Sequence, residues 1–294
     1  MKQQKFPIIK NKNTYLNKSK KISIKWTDSL DSYGRNILYK KTFEENYNFI
    51  IDIKNEIPDF LIFDVFGCEH SNEKYNKSVK LAIYSENIIP DFSEVDYAIG
   101  QAHIIYLDRY FKYPSFTWRL KKFNNKKIET INMLKIKDMN KTKFCGAVIS
   151  NKSKYALFRY NFIKRLNKYK HVDMGGSFLN DVGGQVKNKI KFLSSYKFSI
   201  SMENSDGDGY ISEKIIDSFL AGTIPIYYGD YLIDEYINPK VYILIKGEKD
   251  INEKIEYIKK IDNNNTLYNL ILNEKIFIND KYTDIMRKIE HNRI

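Results

Sequence analysis

The chain has 294 residues, 43% hydrophobic and 29% charged, with a formal net charge of +13. That composition can fill a buried core, and it excludes wholesale disorder. No run of about 18 apolar residues occurs and Met1–Lys25 lacks the apolar stretch of a secretion signal, so neither a membrane-crossing helix nor export is expected.

The first strand signal in chain order is Ile22–Trp26, a short β-branched run. Phe60–Phe66 follows as a nearly unbroken apolar stretch, then Leu81–Tyr84 and Tyr97–Ile99 at short intervals. Around Ile128–Thr142 the pattern dissolves into Lys, Asn and Asp, as in a linker. A second series then begins, with Phe144–Ile149 as strand, Tyr155–Tyr169 as helix, and His171–Asp173 and Lys197–Met202 as strands. Glu213–Ala221 reads as helix, Thr223–Tyr228 and Val241–Ile245 as strands, and a helical tail starts at Ile251. The only low-complexity block is Asn263–Asn265. Continuous apolar strands separated by helical stretches predict parallel sheets covered on both faces. Two doubly wound α/β halves with a cleft between them are expected.

Charge and cysteine usage bound the partners. Of the basic residues only seven are Arg and forty-two are Lys, in a chain also rich in Asn, Ile and Tyr, the mix that an AT-rich genome favours. Nucleic-acid binders use arginine for forked and stacked contacts, so nucleic acid is not an expected partner. Met1–Trp26 carries eight Lys and no acid, and Arg119–Lys143 is also basic. These are either a solvated arm and linker, or segments drawn to an anionic lipid surface or charged glycan. The two cysteines, Cys68 and Cys145, exclude a disulfide framework and a four-cysteine zinc site. A reducing, cytoplasmic location is expected, with peripheral contact at the inner membrane face an open option.

In doubly wound sheets ligands gather at the carboxyl ends of strands. Three such ends carry chemistry. The richest is Lys197–Gly229, in which Phe198, Ile200 and Met202 alternate as a strand with one buried face, running into Glu203-Asn204 and a loop holding Gly207 and Gly209. Ser212 can cap the helix that follows, with the stripe Ile215, Ile216, Phe219 and Leu220, and Gly222 is placed to end it. Lys214 in the first turn opposes the helix dipole by about 0.3–1 kcal/mol, unless an anion sits between it and the helix start. Glycines ahead of the helix would let the chain approach such a ligand closely. Glu213 beside Lys214 could accept hydrogen bonds from ribose hydroxyls. The alternative for Lys214 is a surface lysine tolerated by solvent. Asp206-Gly207-Asp208 has the Asp-X-Asp form that can hold a divalent metal, but is read here as turn chemistry.

In the second place, a strand ends at Ser150-Asn151 and Arg159 lies near the start of the next helix, where its guanidinium could meet a diphosphate. A surface arginine is the alternative. In the third, Glu86 follows an apolar strand, where a partly desolvated carboxylate can act as a general base. The alternative is a loop glutamate beside the Pro90-Asp91 turn.

Together these segments resemble the α-1,3-fucosyltransferase family, glycosyltransferase family 10. The motif stands here as Phe198, Glu203-Asn204-Ser205, Gly207, Gly209-Tyr210, Ser212-Glu213-Lys214 and Thr223-Ile224-Pro225-Ile226-Tyr227-Tyr228-Gly229. Glu86-Asn87, Pro90-Asp91-Phe92, Asp96–Gly100 and Asp108-Arg109-Tyr110 with Pro114 resemble the family's acceptor-side segment. Phe144-Cys145, Ser150-Asn151, Arg159, Val172-Asp173, Gly175-Gly176 and Asn238-Pro239-Lys240 match its donor half. The chain departs from the pattern at Tyr84-Ser85, where Thr-Gly is common, and at Gln101-Ala102-His103, which replaces a Phe-Asp-like stretch. No leucine-rich heptads close the chain, so a coiled-coil dimer is not expected.

The resemblance implies an α/β fold of the GT-B type, two Rossmann-like domains facing each other across a cleft. Residues 1–140 would bind acceptor and 141–294 GDP-fucose, with the last helical segment a candidate to pack back on the N-terminal domain. By similarity Arg159 and Lys214 hold the diphosphate, Glu213 the ribose, Asn204 and Tyr210 line the nucleotide pocket with Ser150 and Asn151 nearby, and Glu203 faces the sugar. Glu86 matches the base. The implied reaction moves L-fucose with inversion from GDP-fucose to a glycan hydroxyl, α-1,3 to GlcNAc in a bacterial-type surface glycan, lipid-linked forms included. No cofactor or metal is required. Another GDP-deoxysugar donor, or a non-catalytic glycan- or polyanion-binding module, are the alternatives.

Overall fold

The structure is a computed structural model that describes residues 20–28, 49–121, 141–151, 157–205 and 207–277. Six strands form the first sheet: β1 (Lys20–Thr27), β2 (Phe49–Asp52), β3 (Phe60–Phe63), β4 (Val79–Ile83), β5 (Tyr97–Gly100) and β6 (Tyr110–Lys112). Their order is β2-β1-β3-β4-β5-β6, and the pairings from β2 through β5 are parallel. Period-two alternation puts Leu61 and Phe63 into one core with Tyr75, Ala82, Val95 and Ala98. Ile62, between them, joins Ile24 and Trp26 on the opposite side.

The second sheet contains β7 (Lys143–Ala147), β8 (Val172–Met174), β9 (Tyr196–Met202), β10 (Ile224–Tyr228) and β11 (Ile243–Leu244), in the order β11-β10-β9-β7-β8. All four pairings are parallel, with Phe198 opposite Ile224 and Ile200 opposite Ile226. The helices are α1 (Phe116–Lys121), α2 (Leu157–Leu166), α3 (Lys189–Leu193), α4 (Glu213–Leu220), α5 (Ile251–Asp262) and α6 (Asn265–Asn273). One core gathers Phe198, Ile200, Ile224 and Ile226 against Phe162 and Leu166 of α2, Ile255 and Ile258 of α5 and Ile271 of α6. The other gathers Tyr227 with Phe116 of α1 and Ile215, Ile216 and Phe219 of α4.

Both faces of β9 are therefore covered, which corrects the expectation of one buried face. Ser199 and Ser201 are as buried as their apolar neighbours because hydroxyl partners replace water there. Two other differences have local causes. The expected strand at Val241–Ile245 shrinks to β11, because Asn238 accepts from the Lys240 N–H and starts a tight turn over Pro239–Val241. The helical tail breaks into α5 and α6 because Asn264 accepts from the Leu267 N–H at 2.9 Å and caps a new helix. The Asn263–Asn265 run is thus a helix boundary. The strands β2 and β6 and the short helices α1 and α3 were not anticipated.

Two compact units divide the chain. The first takes the chain through Ser85 with Ile89–Gly100 and Tyr106–Phe111. The second takes Glu86–Ile88, Gln101–Ile105 and the chain from Lys112 onward. Most of the basic stretches Met1–Trp26 and Arg119–Lys143, and the segment after Phe277, lie outside the described residues. Within the second unit, the last described helices pack on its own sheet. No described helix is long and apolar enough to cross a membrane.

Candidate active site

The carboxyl ends of β7, β9 and β10 carry the candidate residues. Glu203 extends β9 by donating its backbone N–H to the Tyr228 carbonyl at 2.7 Å. The chain then turns, with the Tyr210 N–H bonded to the Gly207 carbonyl at 3.0 Å, and enters α4 at Ser212. Ser212 caps the helix as expected, and Gly222, at φ +67°, ends it. The turn glycines meet neighbouring chain. A Cβ on Gly207 would lie 2.1 Å from Nδ2 of Asn87, and one on Gly209, at φ +100°, would lie 1.8 Å from the Gln101 carbonyl oxygen. They admit the neighbouring Asn87 side chain and Gln101 backbone.

A hydroxyl ladder ties the C-terminal half of α4 to β9. Ser218 Oγ bonds Ser199 at 2.7 Å and Ser201 at 2.6 Å, and Thr223 Oγ1 bonds both Ser199 and the Ser218 carbonyl. Small hydroxylated residues let the helix lie close on β9 while satisfying every buried oxygen in the ladder.

At the helix start, Glu203 is 1% exposed and bonded through both oxygens. Its Oε1 accepts from the Ser212 N–H at 2.8 Å and Oγ at 2.9 Å, and its Oε2 accepts from Ser212 Oγ at 2.7 Å and Lys214 Nζ at 2.9 Å. Burial alone would pull the Lys214 ammonium down, but Glu203 and Glu213 outweigh it and hold the pKa above the ordinary lysine value. Lys214 therefore stays charged. Two of its three protons are directed to Glu203 and Ser212, leaving one donor uncommitted by these bonds. Glu213 sits in the first turn, half exposed, with Lys214 Nζ at 3.8 Å. Its partial burial opposes ionisation, yet Lys214 and Lys189 keep the carboxyl below the usual glutamate range.

Arg159, on the first turn of α2, is 3% exposed. Its Nη1 donates to Asn204 Oδ1 at 2.9 Å and to the Met202 carbonyl at 3.4 Å, and its Nη2 to the Asn151 carbonyl at 3.5 Å. Its buried Nε–H has no hydrogen-bond partner among the described residues. Asn151 thus contributes its backbone oxygen, which also accepts from Tyr160 at 2.8 Å. Ser150 is exposed, and its Oγ accepts from the Ser177 N–H at 3.3 Å.

Two short bonded sets emerge: Lys214–Glu203–Ser212, and Arg159 with Asn204 and Asn151. A third joins Tyr210 to Glu86. Tyr210 is 4% exposed, and burial first, then Glu203 and Glu86, pushes its phenol far up, so it remains a donor. Its hydroxyl gives Glu86 Oε2 a hydrogen bond at 3.2 Å. Glu86 itself is half-buried, just past β4. Of the Asp206/Asp208 pair, Asp206 lies outside the described residues, and no metal-holding cluster of three or more His, Cys, Asp or Glu occurs among the described ones.

The family described as "Glycosyltransferase family 10 (fucosyltransferase) C-term" matches residues 138–277, and "Alpha-(1,3)-fucosyltransferase FucT N-terminal domain" matches residues 24–119. The chain belongs to glycosyltransferase family 10. It is 32% identical over 241 residues to the alpha-(1,3)-fucosyltransferase FucT of Helicobacter pylori, covering 73% of this chain and 50% of that protein. Over 95 residues it is 36% identical to the human 4-galactosyl-N-acetylglucosaminide 3-alpha-L-fucosyltransferase 9, covering 32% of this chain and 25% of the relative. The chain thus spans half or less of these relatives' length. An α1,3-fucosyltransferase crystal structure superposes with a TM-score of 0.74 at 26% identity, covering 94% of this chain and 90% of that one. An α1,3-fucosyltransferase crystal structure with GDP-fucose gives 0.71 at 26% identity, covering 94% and 92%. The fold is accordingly the α/β, GT-B type that the motifs imply.

Two features of this family member escaped sequence reasoning. The hydroxyl ladder was hidden because Ser199 and Ser201 occupy what reads as the solvent face of an alternating strand. A contact between His103 and Asp230 was hidden because the residues are 127 positions apart. The departure at Gln101-Ala102-His103 was its one visible signal.

Proposed function

We propose that this chain transfers L-fucose from GDP-fucose to a glycan hydroxyl, with inversion, and forms an α-1,3 link to GlcNAc. The reading rests on a buried Arg159 and a partly buried Lys214 meeting a polar turn at the carboxyl ends of parallel strands, in a family whose relatives are named for this activity. In it, the unit containing α4 takes the nucleotide sugar and the unit built on β1–β5 the acceptor. The β-phosphate gathers negative charge as the glycosidic bond breaks. The free donor of Lys214, the Arg159 guanidinium and the α4 N-terminal N–H groups are fixed dipoles and charges suited to stabilise it. That arrangement supplies positive charge without calling on a resident metal. Glu86 would take the acceptor proton as its oxygen attacks the anomeric carbon from the face opposite GDP. The Tyr210 bond would keep one carboxylate oxygen aimed while the other stays available. A free, exposed Cys68 suits a reducing, cytoplasmic workplace, with a bacterial-type surface glycan, lipid-linked or not, as acceptor.

Thermal shift with GDP and with UDP tests the donor site, and mass spectrometry of products from GDP-fucose, other GDP-deoxysugars and N-acetyllactosamine-like acceptors tests the reaction. A melting shift by GDP alone and a fucosylated product are expected. No shift with GDP would overturn the donor assignment, and transfer only from another GDP-sugar would overturn fucose.

A further inference from the structure

His103 is held from three sides, all within the second unit. Its backbone N–H donates to the Asp208 carbonyl at 3.1 Å, its Nε2 lies 2.7 Å from Asp230 Oδ2, and its Nδ1 meets Lys112 Nζ. Asp230 is 1% exposed and follows Gly229 at the end of β10, where its other oxygen accepts from the Leu232 N–H at 3.1 Å. Lys112 is in β6 with its ammonium 5.2 Å from the centre of the Tyr236 ring. The proton positions follow from donor and acceptor capacity. An ammonium only donates, so Nδ1 is the acceptor, and Nε2 then carries the hydrogen given to Asp230. The ring is a wedge of defined tautomer between a cation and a buried carboxylate.

That wedge supports the turn that carries Tyr210. Asp208 is bonded to the His103 backbone, and Gly209 passes so close to the Gln101 carbonyl that only glycine fits. One residue further, Tyr210 donates to Glu86. We infer that His103 is a positioning residue: its ties to Asp230 and Asp208 fix the 207–210 turn and thereby the aim of Tyr210 on Glu86. It touches no reacting atom. The inference rests on the proposed role of Glu86 as base, and it goes beyond that role because nothing in the family motif specifies a histidine here.

The test compares the full chain with His103→Ala, His103→Gln and Asp230→Asn, by hydrogen exchange and by transfer kinetics. His103→Ala should speed amide exchange over residues 207–211 by about tenfold while peptides from β9 keep their protection. Turnover should fall by about 10- to 100-fold, as expected for a displaced catalytic group, with KM for GDP-fucose within about threefold. Glutamine, whose side-chain amide can still donate to Asp230, should restore part of both, and Asp230→Asn should fall between. Unchanged exchange and unchanged kcat in His103→Ala would overturn the inference. So would equal losses of GDP affinity and turnover that glutamine does not repair, which mark a general structural role. If His103→Ala fails to fold, the glutamine and Asp230→Asn pair carries the same comparison. A wild-type chain with no transfer would sink the Glu86 reading alone, and the exchange data would still decide whether His103 tethers the turn.

Discussion

The same dipeptide, Glu-Asn, follows a parallel strand twice in this chain, as Glu86-Asn87 after β4 and as Glu203-Asn204 after β9. The two glutamates live in opposite conditions. Glu203 is buried and receives three donors, the Ser212 N–H, the Ser212 hydroxyl shared between its two oxygens, and Lys214 Nζ. Glu86 is half-buried and receives one bond from Tyr210. The asparagines differ in parallel, since Asn204 accepts from Arg159 while Asn87 donates to Ser205. A buried carboxylate held by a helix cap and a lysine acts as a strut, because its bonds are spent on holding the protein together. A carboxylate with one aiming bond and partial access to water keeps lone pairs for a substrate proton. Topology places both groups at a strand end, and the difference in bonding is what the proposed roles predict.

Removing each carboxylate should therefore break different things. Glu203→Ala strands the Lys214 ammonium and the Ser212 N–H, and it should cost about 3–5 kcal/mol of stability, the range for deleting one member of a buried pair. Urea or thermal unfolding reads this directly, and a loss under about 1 kcal/mol would show that Glu203 is not the strut described. Glu86→Gln should do the reverse. Turnover should drop by about 10²- to 10⁴-fold with loss of a positioned base, while the melting temperature and GDP affinity stay near wild type. Near-normal turnover would remove Glu86 from the role of base.

A smaller effect tests how α4 is held. Ser218→Ala leaves the Ser199 and Ser201 hydroxyls short of a partner, and should cost about 1–3 kcal/mol in denaturant unfolding. An unchanged midpoint would mean that apolar packing by Ile215, Ile216 and Phe219 positions the helix without the ladder.

That helix also shows how far the sequence could be read. Ser212 as cap, the Ile215–Ile216–Phe219–Leu220 stripe and Gly222 as terminator are all local signals, and each appears where its own chemistry predicts. The parallel strands were legible for the same reason, since runs such as Phe60–Phe63 declare burial by themselves. What failed depended on partners distant in sequence. Ser199 looks solvent-facing until α4 is laid on it, and nothing near Gly207 in sequence shows that Asn87 packs against it. His103 looked only like a departure from a pattern, because its meaning lies with Asp230 and Lys112. Short elements such as α3, five residues long, carry too little periodicity to stand out.

Asp262 sharpens the comparison from a third position, the C-terminal end of α5. Like Glu203 it is buried and rich in donors, accepting from Lys170 at 2.5 Å, Lys197 at 2.7 Å and the Tyr169 hydroxyl at 2.9 Å. Burial pushes its pKa up, but these bonds prevail and hold the carboxyl below the ordinary aspartate value. A depressed folded-state pKa means that the unfolded chain binds the proton more readily. The stabilisation is therefore complete above about pH 4, where a free aspartate is ionised, and fades as pH falls through the lower folded-state value. Asp262→Asn should flatten the acid limb of a melting-temperature profile below that point while changing its shape little above it. If the limb stays as steep in the asparagine variant, Lys170 and Lys197 are surface cations that happen to lie near a carboxylate. The donor count would then fail as a guide to which acids brace the fold.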